Sequence, residues 1–166
     1  MGSGKTAVGG ALTHLTQMPL LDSDQHIESS CQKGIADMFA SDGEAFFRGK
    51  EAEFCKTLAK ISPRVISTGG GIILSEENQK ALKENGIVIW LQAAIPTLIA
   101  RLQNDTTRPL LKESNLEEKL KTLLTQRESL YKNTADLIFD VDKKTPNELA
   151  NEIYERTRVV LEHNPE

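Results

Sequence analysis

Gly2-Ser3-Gly4-Lys5-Thr6 opens the chain and governs how the rest is read. It is the second half of the phosphate-cradling pattern G-x-x-x-x-G-K-[ST]. Glycines let backbone N–H groups turn onto phosphate oxygens, and the helix that follows adds its positive N-terminus. In that pattern Lys5 reaches the β/γ-phosphates and the Thr6 hydroxyl ligates Mg²⁺. Directly downstream, Val8, Ala11, Leu12 and Leu15 fall at i, i+3, i+4 and i+7, the periodicity of an amphipathic helix. The mechanism demands such a helix after the loop; a Gly-rich turn with a chance lysine does not.

The pattern's first glycine would lie ahead of Met1, and so would the strand that aims the loop. Such a strand carries about four or five buried apolar side chains at ~1.5–3 kcal/mol each, on the order of 10 kcal/mol. A whole domain is stable by only about 5–15 kcal/mol. The expectation is therefore a sequence shortened at its N-terminus relative to the working protein. Reading the upstream DNA in frame tests it, and an immediate stop codon would count heavily against a missing strand.

Beyond the loop, short apolar runs alternate with helical patterns. The runs are Met18–Asp22, Val65–Ser67, Ile87–Leu91 and Leu137–Val141. Ile87-Val88-Ile89-Trp90-Leu91 is apolar without alternation, as in a parallel-sheet strand covered on both faces. Ser75 can cap a helix that Asn85-Gly86 stops, and Pro96 suits a first helical turn. Leu116, Leu120, Leu123, Leu124 and Arg127 share a side of another helix, and Thr145-Pro146-Asn147-Glu148 is a capping box opening the last. The alternation predicts an α/β domain with a mainly parallel sheet. Residues 25–60 read as all-helical, an insertion expected beside the strand ends where ligands bind.

The remaining composition narrows function by exclusion. At 166 residues the chain is about one domain, large enough to bury roughly 70% of its unfolded surface without a disulfide or metal scaffold. Twenty Lys+Arg against 24 Asp+Glu give a net charge of −4, which argues against bulk binding to nucleic acid or anionic membrane. No apolar run approaches a membrane span and no signal peptide opens the chain. Cys31 and Cys55 form no ligand pattern and read as reduced thiols in a cytosolic compartment; His14, His26 and His163 are too scattered for a zinc site.

Four further patterns carry chemistry. Asp22-Ser23-Asp24 ends the first visible strand and sets two carboxylates at i and i+2 on one side of an extended segment. One can serve Mg²⁺ through water and the other can take a hydrogen bond from a substrate hydroxyl, but an aspartate before a helix is equally a cap. Phe47-Arg48-Gly49-Lys50-Glu51 puts Arg48 and Glu51 at i, i+3, which also describes an ordinary surface pair. Gly69-Gly70-Gly71 follows a strand directly, where a ligand can touch backbone or where the chain merely turns. Arg108-Pro109-Leu110 lies in a polar stretch suited to a lid, and Arg127 projects from the next helix.

In this order the set G-S-G-K-T, D-S-D, F-R-x-x-E, G-G-G, R-P-L and Q-R-x-x-L-Y resembles the shikimate kinases over essentially the whole chain. Ala7 stands where many members have a second hydroxyl residue. The resemblance implies a three-layer P-loop fold of the nucleoside monophosphate kinase type. Its sheet has five strands, the first missing from this sequence. The core is 1–24, 61–103 and 116–166, with a substrate-binding insertion at about 25–60 and a lid at about 104–115. It implies ATP-dependent phosphorylation of the shikimate 3-hydroxyl, with ATP and Mg²⁺ as cofactors, in a cytoplasmic monomer.

The resemblance also distributes roles. Gly2, Ser3, Gly4, Lys5, Thr6 and Ala7 would serve the nucleotide, with Thr6 and, indirectly, Asp22 holding Mg²⁺. Asp24 would meet the substrate hydroxyls as base. Arg48 and Arg127 would clasp the carboxylate, Glu51 orienting Arg48, with Phe47 lining the pocket. Gly69, Gly70 and Gly71 would approach the ring hydroxyls. Arg108 would swing in on the lid, and Arg101 and Pro146 would flank adenine. Gluconate or nucleoside monophosphate kinases are the nearest enzymatic alternatives; a truncated paralogue that binds shikimate without turnover is the non-catalytic one.

Overall fold

The computed structural model describes residues 2–103 and 116–163. The expected lid at 104–115, and Arg108 with it, lies outside them. Helix α1 (Lys5–Thr16) starts at Gly4, whose φ of 86° is left-handed and suits glycine. Val8 and Leu12 on its inner face are buried, as the heptad-like spacing predicts. Strand β1 (Leu20–Asp22) leads into α2 (Ser23–Cys31), α3 (Ile35–Ser41) and α4 (Gly43–Thr57), which make up the expected helical insertion. Then follow β2 (Val65–Ser67), α5 (Glu76–Glu84), β3 (Ile89–Gln92), α6 (Ile95–Gln103), α7 (Leu116–Thr134), β4 (Leu137–Asp140) and α8 (Pro146–His163).

Each helix boundary has a local cause. The Ser75 hydroxyl accepts from Asn78 N at 3.4 Å and starts α5. At α8 the capping box closes reciprocally: Thr145 N and Oγ1 donate to Glu148 Oε2 at 2.7 and 2.8 Å, and Glu148 N donates to Thr145 Oγ1 at 3.3 Å. These bonds hold the Glu148 carboxyl below its ordinary range.

The described strands form two parallel pairs. β1 pairs with β2 in the register Leu20↔Val65, Leu21↔Ile66, Asp22↔Ser67. β3 pairs with β4 from Ile89↔Leu137 to Gln92↔Asp140. β2 and β3 are not bonded to each other. A core of Val8, Leu12, Phe139, Val141, Leu149 and Ile153 joins α1, β4 and α8, and Val65 of β2 packs against it together with Ile89 and Leu91 of β3. A second core, Phe54, Cys55, Leu58, Ile72 and Ile73, fastens the insertion to the segment after β2. Both strands of the first pair therefore end at the junction between α1 and the insertion. Among the described residues no helix is long and apolar enough to cross a membrane.

Candidate active site

The C-terminal ends of β1 and β2 place one cluster of oxygens beside the Gly2–Thr6 loop. Thr6 Oγ1 donates to Asp22 Oδ2 at 3.1 Å and lies 3.4 Å from Ser67 Oγ. Asp22 and Ser67 are register partners, so the sheet itself sets this spacing. All three are hard oxygen donors, the chemistry Mg²⁺ takes when it keeps waters and phosphate oxygens as its other ligands. The residues present therefore fit a magnesium-bound nucleotide at the loop.

Asp22 has a second task that changes one sequence expectation. Its Oδ1 accepts from Asp24 N at 3.0 Å and Gln25 N at 3.3 Å, so Asp22 caps α2 and the helix begins at Ser23. Asp24 thus sits in a helical first turn rather than on an extended segment. The two carboxylates diverge: Asp22 faces Thr6, whereas Asp24 turns to the glycine run and the insertion. The cap reading of D-S-D therefore holds for Asp22, whose other oxygen still faces Thr6.

Around Asp24 lies a second cluster. An ideal Cβ on Gly69 would stand 2.6 Å from Asp24 Oδ1 and 3.4 Å from Glu51 Oε1. A Cβ on Gly71 would stand 2.8 Å from both Cζ and Nη2 of Arg48. At two of the three glycines the space a Cβ would take is filled by the ends of Asp24 and Arg48, so a larger residue there must displace them; Gly71 itself has φ −93°, which any residue adopts. Arg48 Nη1 donates to Glu51 Oε2 at 2.7 Å, while Nε and Nη2 donate to Glu44 Oε1 at 3.0 and 2.7 Å. A guanidinium has five N–H donors. Three are spent here, which leaves two for a planar anion. Glu51 is 1% exposed, so F-R-x-x-E is a buried anchor and not a surface pair.

Electrostatics tie the cluster together. Burial pushes the Glu51 carboxyl above its ordinary value; the bond and charge of Arg48 oppose this, the Asp24 charge adds to it, and the Arg127 charge opposes it. Asp24, Arg48 and Arg127 thus all act on one carboxylate. For Arg48 itself burial disfavours the cation, but the bonds to Glu51 and Glu44 outweigh it and its pKa is raised. Burial, then the Glu51 charge, pushes the Cys55 thiol up to about 11, so it stays protonated. Between the ordinary carboxyl value and Glu51's raised one, the folded chain holds a proton the unfolded chain has lost, so stability falls as pH rises through that window. Glu51→Gln should flatten that slope in urea unfolding measured from pH 4.5 upward. Parallel curves for the two proteins would remove Glu51 as its source.

The two clusters are two residues apart along each strand end: Asp22 to Asp24, and Ser67 to Gly69. The Thr6–Asp22–Ser67 oxygens and the Asp24–Arg48–Glu51 cluster are therefore contiguous. The family model for shikimate kinase matches residues 1–158. The chain belongs to the shikimate kinase family. It is 39% identical to the shikimate kinase of Chromohalobacter salexigens over 158 residues, 95% of this chain and 88% of that protein. Its fold matches the shikimate kinase of Acinetobacter baumannii in complex with shikimate with a TM-score of 0.89 at 34% identity, over all of this chain and 91% of that one. The shikimate kinase of Bacteroides thetaiotaomicron gives 0.86 at 29% identity, over 98% and 94% of the two chains.

The structure adds residues to the shikimate kinase set read from sequence. Ser67 closes the oxygen cluster, Ser23 accepts the Gly69 N–H at 3.1 Å, and Glu44 takes half of Arg48. Glu44 was signalled by its i, i+4 spacing to Arg48; Ser23 and Ser67 carried no signal beyond their place at strand ends. Phe47 is buried with Ile27 and Met38 in the core of the insertion. Arg101 holds the loop from behind, donating from Nη1 to the Ser3 carbonyl at 3.2 Å and from Nη2 to the Val141 carbonyl at 3.2 Å. Pro146 is the exposed first residue of α8.

Proposed function

We propose that this chain transfers the γ-phosphoryl group of Mg-ATP to the 3-hydroxyl of shikimate, and that the two clusters divide the work. The observation that carries this is the contiguity of the Thr6–Asp22–Ser67 oxygens with the Asp24–Arg48–Glu51 pocket across the ends of β1 and β2. Lys5 and the Gly2–Ala7 backbone bind the phosphates, and Thr6 and, indirectly, Asp22 would hold Mg²⁺. When bound, the metal neutralises charge gathering on the transferring phosphoryl oxygens. Asp24 takes the hydroxyl proton as the oxygen–phosphorus bond forms and the bond to ADP breaks. Arg48 and Arg127 clasp the carboxylate, whose planar geometry suits guanidinium better than ammonium. Glu51 and Glu44 hold Arg48 in place. Phe47 backs the pocket, the Gly69–Gly71 backbone meets the ring hydroxyls, Arg108 closes over the phosphoryl group, and Arg101 and Pro146 border adenine.

Every residue in this assignment comes from one chain, so a monomer suffices, and we place it in the cytoplasm. A coupled ADP-release assay with shikimate, gluconate, AMP and CMP tests the substrate. Turnover with shikimate alone is expected; turnover with gluconate or a nucleotide in its place would reassign the acceptor. Calorimetry addresses the non-catalytic alternative, in which shikimate binds but Mg-ATP does not.

Gly71→Ala is a sharp probe of the carboxylate side. Its backbone is unstrained, so the fold should survive, but Arg48 must move from its place. Loss of a charge-assisted contact of ~1.5–3 kcal/mol corresponds to roughly a 10- to 150-fold rise in KM. That rise is expected for shikimate and not for ATP. An unchanged shikimate KM would show that Arg48 does not hold the substrate where Gly71 faces it.

A further inference from the structure

The glycine run is held from outside its own segment at two points: the Gly69 N–H donates to Ser23 Oγ at 3.1 Å, and the Gly70 carbonyl is held by a residue with no assigned role. Within residues 69–74 the Gly69 carbonyl accepts from Ile72 N at 3.4 Å and the Gly71 carbonyl from Leu74 N at 3.0 Å. The Gly70 carbonyl instead accepts from the Tyr131 hydroxyl at 2.7 Å, sixty-one residues away in sequence. Tyr131 sits on α7 four residues after Arg127, one turn along the same face. Its ring stacks on Trp90 of β3, with centroids 5.5 Å apart and planes at 22°. That stack restricts the ring, so the hydroxyl is delivered to one place.

We infer that Tyr131 is a positioning residue that couples the glycine run to the helix carrying Arg127, setting the distance between the hydroxyl-binding and carboxylate-binding sides of the substrate pocket. This rests on the substrate reading above. The coupling is a single hydrogen bond from a rigid donor. Three consecutive glycines have little conformational preference of their own, so an outside hold on the middle carbonyl orients the Gly70–Gly71 peptide plane and with it the Gly71 N–H, while Ser23 holds the Gly69 N–H. The Trp90 stack keeps the phenol from following the loop if it shifts. Among the described residues Tyr131 makes no hydrogen bond to the phosphate loop or to the Thr6–Asp22–Ser67 oxygens, so its effect should be confined to the substrate side.

Tyr131→Phe keeps the ring and its stack and deletes only the hydroxyl. A neutral hydrogen bond of about 0.5–1.5 kcal/mol corresponds to roughly a 2- to 13-fold change. The expected result is a shikimate KM raised within that range, an ATP KM unchanged, and a melting temperature near that of wild type. A shikimate KM equal to wild type would overturn the inference. So would parallel rises in both KM values, which mark a merely structural role. Failure of the substrate reading is distinguishable: there the wild-type chain itself shows no turnover with shikimate, and both proposals fall together.

Discussion

Lys5→Ala should leave a folded protein with almost no turnover. Removing one preorganised positive donor from a site where charge develops lowers kcat by about 10²–10³. Lys5 is the first residue of α1, and the helix is anchored by Val8 and Leu12 in the core and by Arg101 gripping the loop carbonyls. These contacts remain when the side chain is cut back to alanine, so the protein should still fold. Phosphoryl transfer relies on positioning and charge neutralisation, and the remaining loop N–H groups cannot replace a full charge. Near-normal kcat in the coupled assay would refute the cradle, whatever the sequence pattern suggests.

Asp24→Asn should be comparably damaging by a different route. Asparagine keeps the shape of the carboxylate and can still bond a substrate hydroxyl, but it cannot take the proton at neutral pH. Loss of general-base help typically costs about 10²–10⁴ in rate. The deficit should appear in kcat, with the shikimate KM affected less. Because Asp24 packs against Gly69 and pushes on Glu51, the substitution also relieves a repulsion inside the pocket. The fold should survive while activity collapses, since asparagine fills the same space beside Gly69. A variant with wild-type kcat would require another base.

Much of this architecture was legible in the residues themselves. The four apolar runs became β1 to β4, and the capping signals at Ser75 and Thr145 start α5 and α8 as read. Residues 25–60 are helical because no run there is long and apolar enough for a strand, and they pack beside the strand ends. The grouping of strands into two pairs was not legible, since periodicity carries no pairing information. Nor was the divergence of Asp22 and Asp24: an i, i+2 spacing has one meaning on a strand and another across a helix cap, and Asp22 Oδ1 decides between them by capping α2. The glycine run was read as a place for a ligand to touch backbone. The structure adds that Gly69 and Gly71 yield room to Asp24 and Arg48, a long-range packing requirement that no local pattern encodes. Tyr131 illustrates the same limit. Its spacing from Arg127 put it on the right face, but only the fold brings Gly70 to its hydroxyl.

The claim at the centre of the account is that the loop-side oxygens and the arginine pocket serve one acceptor atom. Phosphorus NMR of the product from Mg-ATP and shikimate tests it most directly. The account predicts a phosphomonoester whose phosphorus couples to the ring proton at carbon 3, formed together with ADP. Inorganic phosphate as the only phosphorus product, or a phosphoryl group on another ring oxygen, would contradict it.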